Sequence, residues 1–157
     1  MIDIETTLDV DAPADAVFAF VADQTNGPLW QKGLHSVRRL TPGPIGVGSE
    51  HEFERRLAGI PIKSRNRFTA YSSEERQVVF EIPKGWVSGE ASYRVEPLGP
   101  GSCRLISTMR FDLSGPPKLF ERSFAKTLER DTARDEATLK ALVEAQARGP
   151  RESSSAT

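Results

Sequence analysis

The segment SEHEFERRL, residues 49–57, places ionisable side chains where a strand is expected to bury apolar ones. Alternate residues of a strand point to opposite faces of its sheet. One face of this segment carries only charged residues, whereas the other combines Phe53 and Leu57 with His51 and Arg55. A histidine can move a proton at neutral pH, and an arginine can stabilise a developing enolate. This mixed face is therefore the first candidate for a functional site.

A second pair of ionisable residues lies in the long helical segment after Pro116 and Pro117. On a helical projection, Asp131 and Asp135 fall within an apolar stripe formed by Phe124, Leu128, Leu139 and Leu142. We hypothesise that Asp131 or Asp135 faces Arg55 or His51 across a cavity. There the charges would neutralise one another or bind the polar end of a ligand. The alternative is that both aspartates lie on a solvated edge of the helix.

Other predicted strands also carry polar residues in phase with their apolar ones. Ser64 and Asn66 are expected on the inner face of their strand, together with Ile62 and Phe68. Tyr93 and Ser107 are likewise expected on the inner faces of two later strands. Buried polar groups need hydrogen-bond partners, and a pocket that holds water or a ligand supplies several at once. These positions therefore predict an internal cavity.

Each of these residues also has a purely structural interpretation. Arg55 can extend along the core with its guanidinium at the surface, and a β-bulge within 50–57 would exchange the two faces. Tyr93 is equally consistent with a core residue whose hydroxyl group is bonded. Trp30, in a short helix near the predicted cavity rim, is either an aromatic wall or a packing contact between that helix and the sheet.

The predicted elements are one strand, two short helices, six further strands and one long C-terminal helix. Strands that follow one another through tight turns favour an antiparallel meander. A sheet of this size twists strongly, and its inner face must be covered, which the long helix can do. The sequence thus predicts an α+β fold with a curved seven-stranded antiparallel sheet around a C-terminal helix.

Composition limits the classes of protein to which the chain can belong. Its 157 residues predict one domain over 1–147, followed by a flexible polar tail over 148–157. The net charge of −1 argues against a nucleic-acid partner, and a single cysteine fits a cytoplasmic protein. The N-terminal residues do not resemble a signal peptide, and no apolar run suggests membrane insertion. We expect a monomer or a homodimer.

Several catalytic and cofactor motifs are missing from the sequence. There is no GxSxG nucleophile elbow, no dinucleotide fingerprint after the first strand, and the GPIGVG loop lacks the GK[ST] ending of a phosphate loop. His51 with Asp131 and Asp135 would form a metal site only if the long helix packed with both aspartates against the strand that carries His51. We therefore expect no cofactor and no metal.

Five segments together resemble the START-like, or SRPBCC, superfamily in its polyketide cyclase/dehydrase branch, whose members share the Bet v 1-like helix-grip fold. They are VDAPADAVFAFVAD, PLWQKGLHSVRRL, GPIGVGSEHEF, GSCRLISTMRFDLSGP and the helix ending LKALVE, and the resemblance extends from Ile2 to Glu144. It implies a deep cavity between the sheet and the C-terminal helix, which usually takes a hydrophobic or aromatic small molecule. The group includes carriers as well as enzymes.

We therefore expect the protein to bind a small hydrophobic or aromatic ligand in such a cavity. The expected ligand-binding residues are Trp30, Phe53, Asn66, Phe68, Tyr93, Met109, Phe124 and Leu128. One alternative is a polyketide cyclase or dehydratase whose catalytic residues are His51, Arg55, Asp131 and Asp135. Another is a module that binds a protein partner through an exposed apolar patch.

Overall fold

The computed structural model describes residues 1–57, 59–83 and 85–155. Its strands are β1 (Ile2–Val10), β2 (Leu34–Arg39), β3 (Glu50–Leu57), β4 (Ile60–Ser72), β5 (Gln77–Ile82), β6 (Val87–Gly99) and β7 (Ser102–Leu113). Its α-helices are α1 (Ala14–Ala22), α2 (Gly27–Trp30) and α3 (Glu121–Ser155). The predicted order of strands and helices is confirmed.

The strands form one antiparallel sheet in the order β1-β7-β6-β5-β4-β3-β2. Strands β2 to β7 are a meander, and β1 closes the far side by pairing with β7 from Ile2 opposite Phe111 to Val10 opposite Cys103. The predicted helix-grip fold is therefore confirmed, with β1 and β2 at the two edges of the sheet.

Strand β3 keeps one register with β4 along its whole length, from Glu50 opposite Arg67 to Leu57 opposite Ile60. The bulge next to it lies in β2, between Leu34 and Ser36. Because β3 itself is regular, its two faces do not exchange. His51 and Phe53 are buried, whereas Glu54 and Arg56 are exposed.

Helix α3 covers the concave face of the sheet with a stripe of buried apolar residues. Phe124, Leu128, Leu139 and Val143 are all less than a tenth exposed. Pro116 and Pro117 begin a short 3₁₀ turn that ends at Phe120 and leads directly into the helix. The helix extends to Ser155, past the predicted end at Ala147. The flexibility of 148–157 and the single-domain boundary stay predictions.

No helix in the described part of the chain is long and apolar enough to cross a membrane.

Candidate functional site

A cavity of about 110 Å³ lies between the inner face of the sheet, α2 and the middle of α3. This volume is several times the roughly 10–15 Å³ that one water molecule requires. The apolar part of its wall comes from Val21, Trp30, Leu34, Val37, Phe53, Ile62, Phe80, Ile82, Val87, Ala91, Met109, Phe111 and Leu128. The polar part comes mainly from α3, from strands β3, β4 and β7, and from the turns on either side of α2, with Tyr93 added by β6.

Arg55 brings a positive charge into this wall from β3. Its Nη2 donates a hydrogen bond of 2.8 Å to Gln31 Oε1, and its guanidinium carbon lies 5.5 Å from the centre of the Phe53 ring. Burial lowers the pKa of Arg55, while Tyr93 and Asp135 act in the opposite direction. An arginine stays protonated at neutral pH nonetheless, so the cavity holds a fixed cation.

Tyr93 lies within an aromatic group on the same inner face. Its ring centre is 6.2 Å from that of Trp30 in an edge-on arrangement and 5.9 Å from that of Phe80. Burial raises the pKa of Tyr93 to about 12. The phenol is therefore protonated at neutral pH and available to donate a hydrogen bond into the cavity.

Asp131 and Asp135 reach the cavity from α3, and both are half-buried. Arg134 forms the ion pairs with them, at 3.3 Å to Asp131 Oδ1 and 3.2 Å to Asp135 Oδ1. Asp135 also accepts a hydrogen bond of 3.2 Å from the Lys32 backbone N–H, although burial outweighs these contacts and raises its pKa. The hypothesis paired these carboxylates with Arg55 or His51, but their direct ion-pair partner is Arg134.

Glu136 is the most buried carboxylate of the cavity, and it is not among the site residues predicted from the sequence. Its side chain accepts a hydrogen bond from the Thr6 hydroxyl group, and burial raises its pKa. The spacing contains a usable signal, since Glu136 is eight residues after Leu128 and three before Leu139. The inner face of α3 is thus rotated slightly from the predicted stripe, so that Val143 is buried and Leu142 is half-buried.

His51 does not line the cavity. It is fully buried beneath the wall, with its ring centre 5.2 Å from that of Phe68. Burial and the charge of Arg39 lower the pKa of His51, so the ring is neutral at pH 7. Phe68 and Phe124 likewise pack in the core and are not part of the cavity wall. These three positions face inward as expected, but other side chains separate them from the cavity.

The remaining predicted residues do form part of the wall: Arg55, Asp131, Asp135, Trp30, Phe53, Asn66, Tyr93, Met109 and Leu128. Trp30 is buried, so it both packs against the core and faces the cavity. Gln24 and Gln31 also line the cavity and were not predicted. Gln24 lies in the turn before α2, and Gln31 directly follows α2. Neither position belongs to a periodic pattern in the sequence.

Besides Arg55 and the phenol of Tyr93, the described wall of this mainly apolar space includes the arginines Arg56 and Arg134 and the carboxylates of Asp23, Asp131, Asp135 and Glu136. Among the residues that the structure describes, no three His, Cys, Asp or Glu side chains are placed to hold a metal ion. The combination considered from the sequence, His51 with Asp131 and Asp135, is not formed. The chemistry available to these side chains is hydrogen bonding, charge stabilisation and proton transfer.

A family model described as polyketide cyclase / dehydrase and lipid transport matches residues 1–144. The chain therefore belongs to this family, as the sequence resemblance indicated. No curated protein sequence matches the chain.

Several solved structures share the fold. The Zhui aromatase/cyclase from Streptomyces sp. R1128 superposes with a TM-score of 0.81 at 19% identity, covering 93% of this chain and 95% of that one. A START superfamily protein from Mycobacterium smegmatis gives 0.72 at 18% identity, covering 90% and 97%. Norcoclaurine synthase from Thalictrum flavum, in complex with dopamine and hydroxybenzaldehyde, gives 0.65 at 19% identity, covering 90% and 85%. At these identities the likeness establishes the fold alone.

Proposed function

We propose that the protein binds a small aromatic or otherwise apolar molecule that carries a carbonyl or phenolic oxygen, with that oxygen directed to Arg55. The observation that carries the proposal is a partly buried arginine in the wall of an otherwise mostly apolar cavity. Arginine has five N–H donors, and Gln31 is the hydrogen-bond acceptor that the described side chains supply to it. An oxygen acceptor on a ligand would use further donors.

The aromatic side chains support the aromatic character of the ligand. The Tyr93 ring contacts the rings of both Trp30 and Phe80, and all three residues line the cavity. Aromatic rings stack favourably against such walls, and burial of the ligand supplies most of its binding free energy. The Tyr93 hydroxyl group, which remains protonated, would donate a second hydrogen bond to the ligand oxygen.

The first test is native mass spectrometry of the purified protein, followed by denaturing extraction to identify any bound molecule. The second is fluorescence titration with 1-naphthol and with naphthalene. We expect Arg55→Met to weaken 1-naphthol binding about tenfold, which is about 1.4 kcal/mol, and to leave naphthalene binding within about twofold.

Arg65→Met is the matched control, because Arg65 lies on the neighbouring strand β4, is exposed and is not part of the cavity wall. It should bind both probes as the wild type does. Failure of 1-naphthol to bind, or equal binding by the Arg55 variant and the wild type, would refute the proposal.

The second candidate is catalysis of a polyketide cyclisation or dehydration in the same cavity. The specific observation is that burial raises the pKa of both Asp135 and Glu136, which suits a carboxyl group to act as a general acid or base. Arg55 would stabilise an enolate formed from the substrate carbonyl. His51 has less support in this role, because it lies outside the cavity wall.

Incubation with a linear aromatic polyketide substrate, with product analysis by mass spectrometry, tests this candidate. Turnover that falls about 100-fold in Asp135→Asn or Glu136→Gln would support it. Binding of the substrate without conversion would leave the carrier function as the better description.

A further inference from the structure

A row of three polar side chains crosses strands β2, β3 and β4 beyond the Arg55 region. Arg39 on β2 is directly opposite His51 on β3, and His51 is directly opposite Asn66 on β4. Directly opposed residues share a face of the sheet, so all three side chains point inward. His51 is completely buried, Asn66 is 3% exposed, and Arg39 is partly buried near the edge of the sheet.

Five polar atoms of this row are buried and have no hydrogen-bond partner among the described residues. They are Nε and Nη2 of Arg39, both ring nitrogens of His51, and Oδ1 of Asn66. Asn66 is close enough to favour the protonated form of His51, but no hydrogen bond of normal geometry joins them. Such atoms are normally satisfied. All five are closed to solvent, and the cavity wall does not include Arg39 or His51, so a polar ligand that satisfies them requires movement of the Arg39 side chain at the edge of the sheet.

The two Arg39 atoms specify the kind of ligand. Nε–H and Nη2–H lie in the guanidinium plane and point in the same direction along one edge of the group. Their spacing matches the two oxygens of a carboxylate. Arg38, the preceding residue, forms an ion pair of 3.4 Å from its Nη2 to Glu52 Oε1. Among the described residues, no carboxylate forms an ion pair with Arg39. Asp23, whose charge reaches His51, instead accepts hydrogen bonds from the Thr25 backbone N–H and hydroxyl group at 3.1 and 2.6 Å.

The charge of the row also favours an anion. The His51 ring is neutral at pH 7, which leaves Arg39 as the single positive charge. A water molecule could bond to the ring or to the amide, but it would leave the guanidinium charge uncompensated. A monovalent carboxylate compensates this charge and fills both N–H donors of the fork.

We propose that Arg39 anchors a carboxylate-binding site whose inner wall is formed by His51 and Asn66. This site is independent of the Arg55 end of the cavity. Asn66 Nδ2 donates a hydrogen bond of 2.8 Å to Gln24 Oε1, and both residues also line the main cavity. The carboxylate therefore has two possible sources, which are a free small acid and the acidic end of a longer ligand that occupies the cavity.

NMR of the imidazole groups can test the site directly, because the chain contains only two histidines and His35 is exposed. Sodium acetate and 2-naphthoate are titrated separately at constant ionic strength, with sodium chloride as the reference salt. We expect a saturable shift of the His51 resonances and no saturable shift of those of His35. A shift of the Trp30 indole signal as well, with 2-naphthoate only, assigns the carboxylate to a cavity ligand.

Arg39→Lys keeps the charge but removes the planar fork, and we expect it to weaken acetate binding about tenfold. Arg38→Lys is the matched control on the opposite face of β2 and should bind as the wild type does. Absence of a saturable His51 shift with both acids would overturn the proposal, and so would equal binding by the Arg39 and Arg38 variants. A saturable shift with acetate in a protein that does not bind 1-naphthol would support this site and refute only the proposed function.

Discussion

Arg55 and Arg56 show how one step along a strand changes the chemistry of an arginine. Arg56 is exposed and contacts only the rim of the cavity. Arg55 points into the cavity, where burial lowers its pKa and Gln31 accepts one of its N–H groups. In this less polar environment, the charge interacts more strongly with a ligand than it would in water.

His51 gives the stability of the protein a predictable dependence on pH. Because its pKa in the folded protein is below the ordinary 6.5, the unfolded chain binds more protons as the pH falls through that value. The His51 contribution is therefore fully present above about pH 6.5 and is lost below it. We expect denaturant unfolding to show a smaller loss of stability from pH 7.5 to 5.5 in His51→Gln than in the wild type.

His35→Gln is the control for this measurement, since His35 is exposed. Its stability should follow the wild-type dependence on pH. An unchanged pH dependence in His51→Gln would show that His51 is not held in its neutral form.

Glu136 should have the opposite effect, because burial raises the pKa of a carboxyl group. The cost of keeping it ionised is present above its raised pKa and disappears as the pH falls toward 4.5. Glu136→Gln keeps an oxygen for the Thr6 hydroxyl group and removes the charge. We expect it to increase the free energy of unfolding at pH 7.5, with a gap to the wild type that narrows in acid. A less stable variant at pH 7.5 would contradict this account.

At the scale of elements, strand β6 depends on a glycine. Gly89 has a φ of 151°, and a Cβ there would contact the Arg110 carbonyl oxygen and come within 2.9 Å of Phe111 Cα on β7. We expect Gly89→Ala to reduce the free energy of unfolding by about 3 kcal/mol, from backbone strain and the displaced strand.

Gly101→Ala serves as the control for Gly89→Ala. Gly101 lies in the turn between β6 and β7, and a Cβ there would have no atom within 4 Å. Thermal or denaturant unfolding should show a change within about 0.5 kcal/mol for this variant. Similar losses in both variants would disprove the role given to the β6–β7 approach.

Helix α3 determines which carboxylates reach the cavity. Its buried stripe includes Leu128, Glu136, Leu139 and Val143, whereas Asp131 and Asp135 border it and pair with Arg134. A small rotation of the helix about its axis exchanges these positions. Sequence periodicity locates such a stripe only to within about one residue over several turns.

At the scale of the whole molecule, the cavity exists because the curved sheet and α3 do not meet along their full length. Ala91 lies on the inner face of β6 and lines this space. We expect Ala91→Phe to fill part of the cavity and to weaken 1-naphthol binding more than tenfold in the fluorescence titration, while the fold is retained.

Ala70→Phe adds the same side chain at an exposed position of β4. Its binding of 1-naphthol should be unchanged, and circular dichroism of both variants checks the fold. Normal binding by Ala91→Phe would mean that the ligand occupies another part of the molecule.

Local sequence patterns determined the elements and their order. Alternation along β3 identified His51, Phe53 and Arg55 as inward residues, because the side chains of a regular strand alternate strictly. The apolar period after Pro117 identified α3, and short turns between strands identified the meander. These features depend on neighbouring residues, so the sequence displays them directly.

Tertiary structure decided which inward residues reach the cavity. His51, Phe68 and Phe124 face inward but lie behind other side chains, whereas Gln31, directly after α2, and Glu136 on α3 reach the cavity. The pairing of Asp131 and Asp135 with Arg134, and the row of Arg39, His51 and Asn66, likewise depend on helix rotation and strand register. Distances between residues far apart in the chain set these contacts, and no periodicity within one segment contains them.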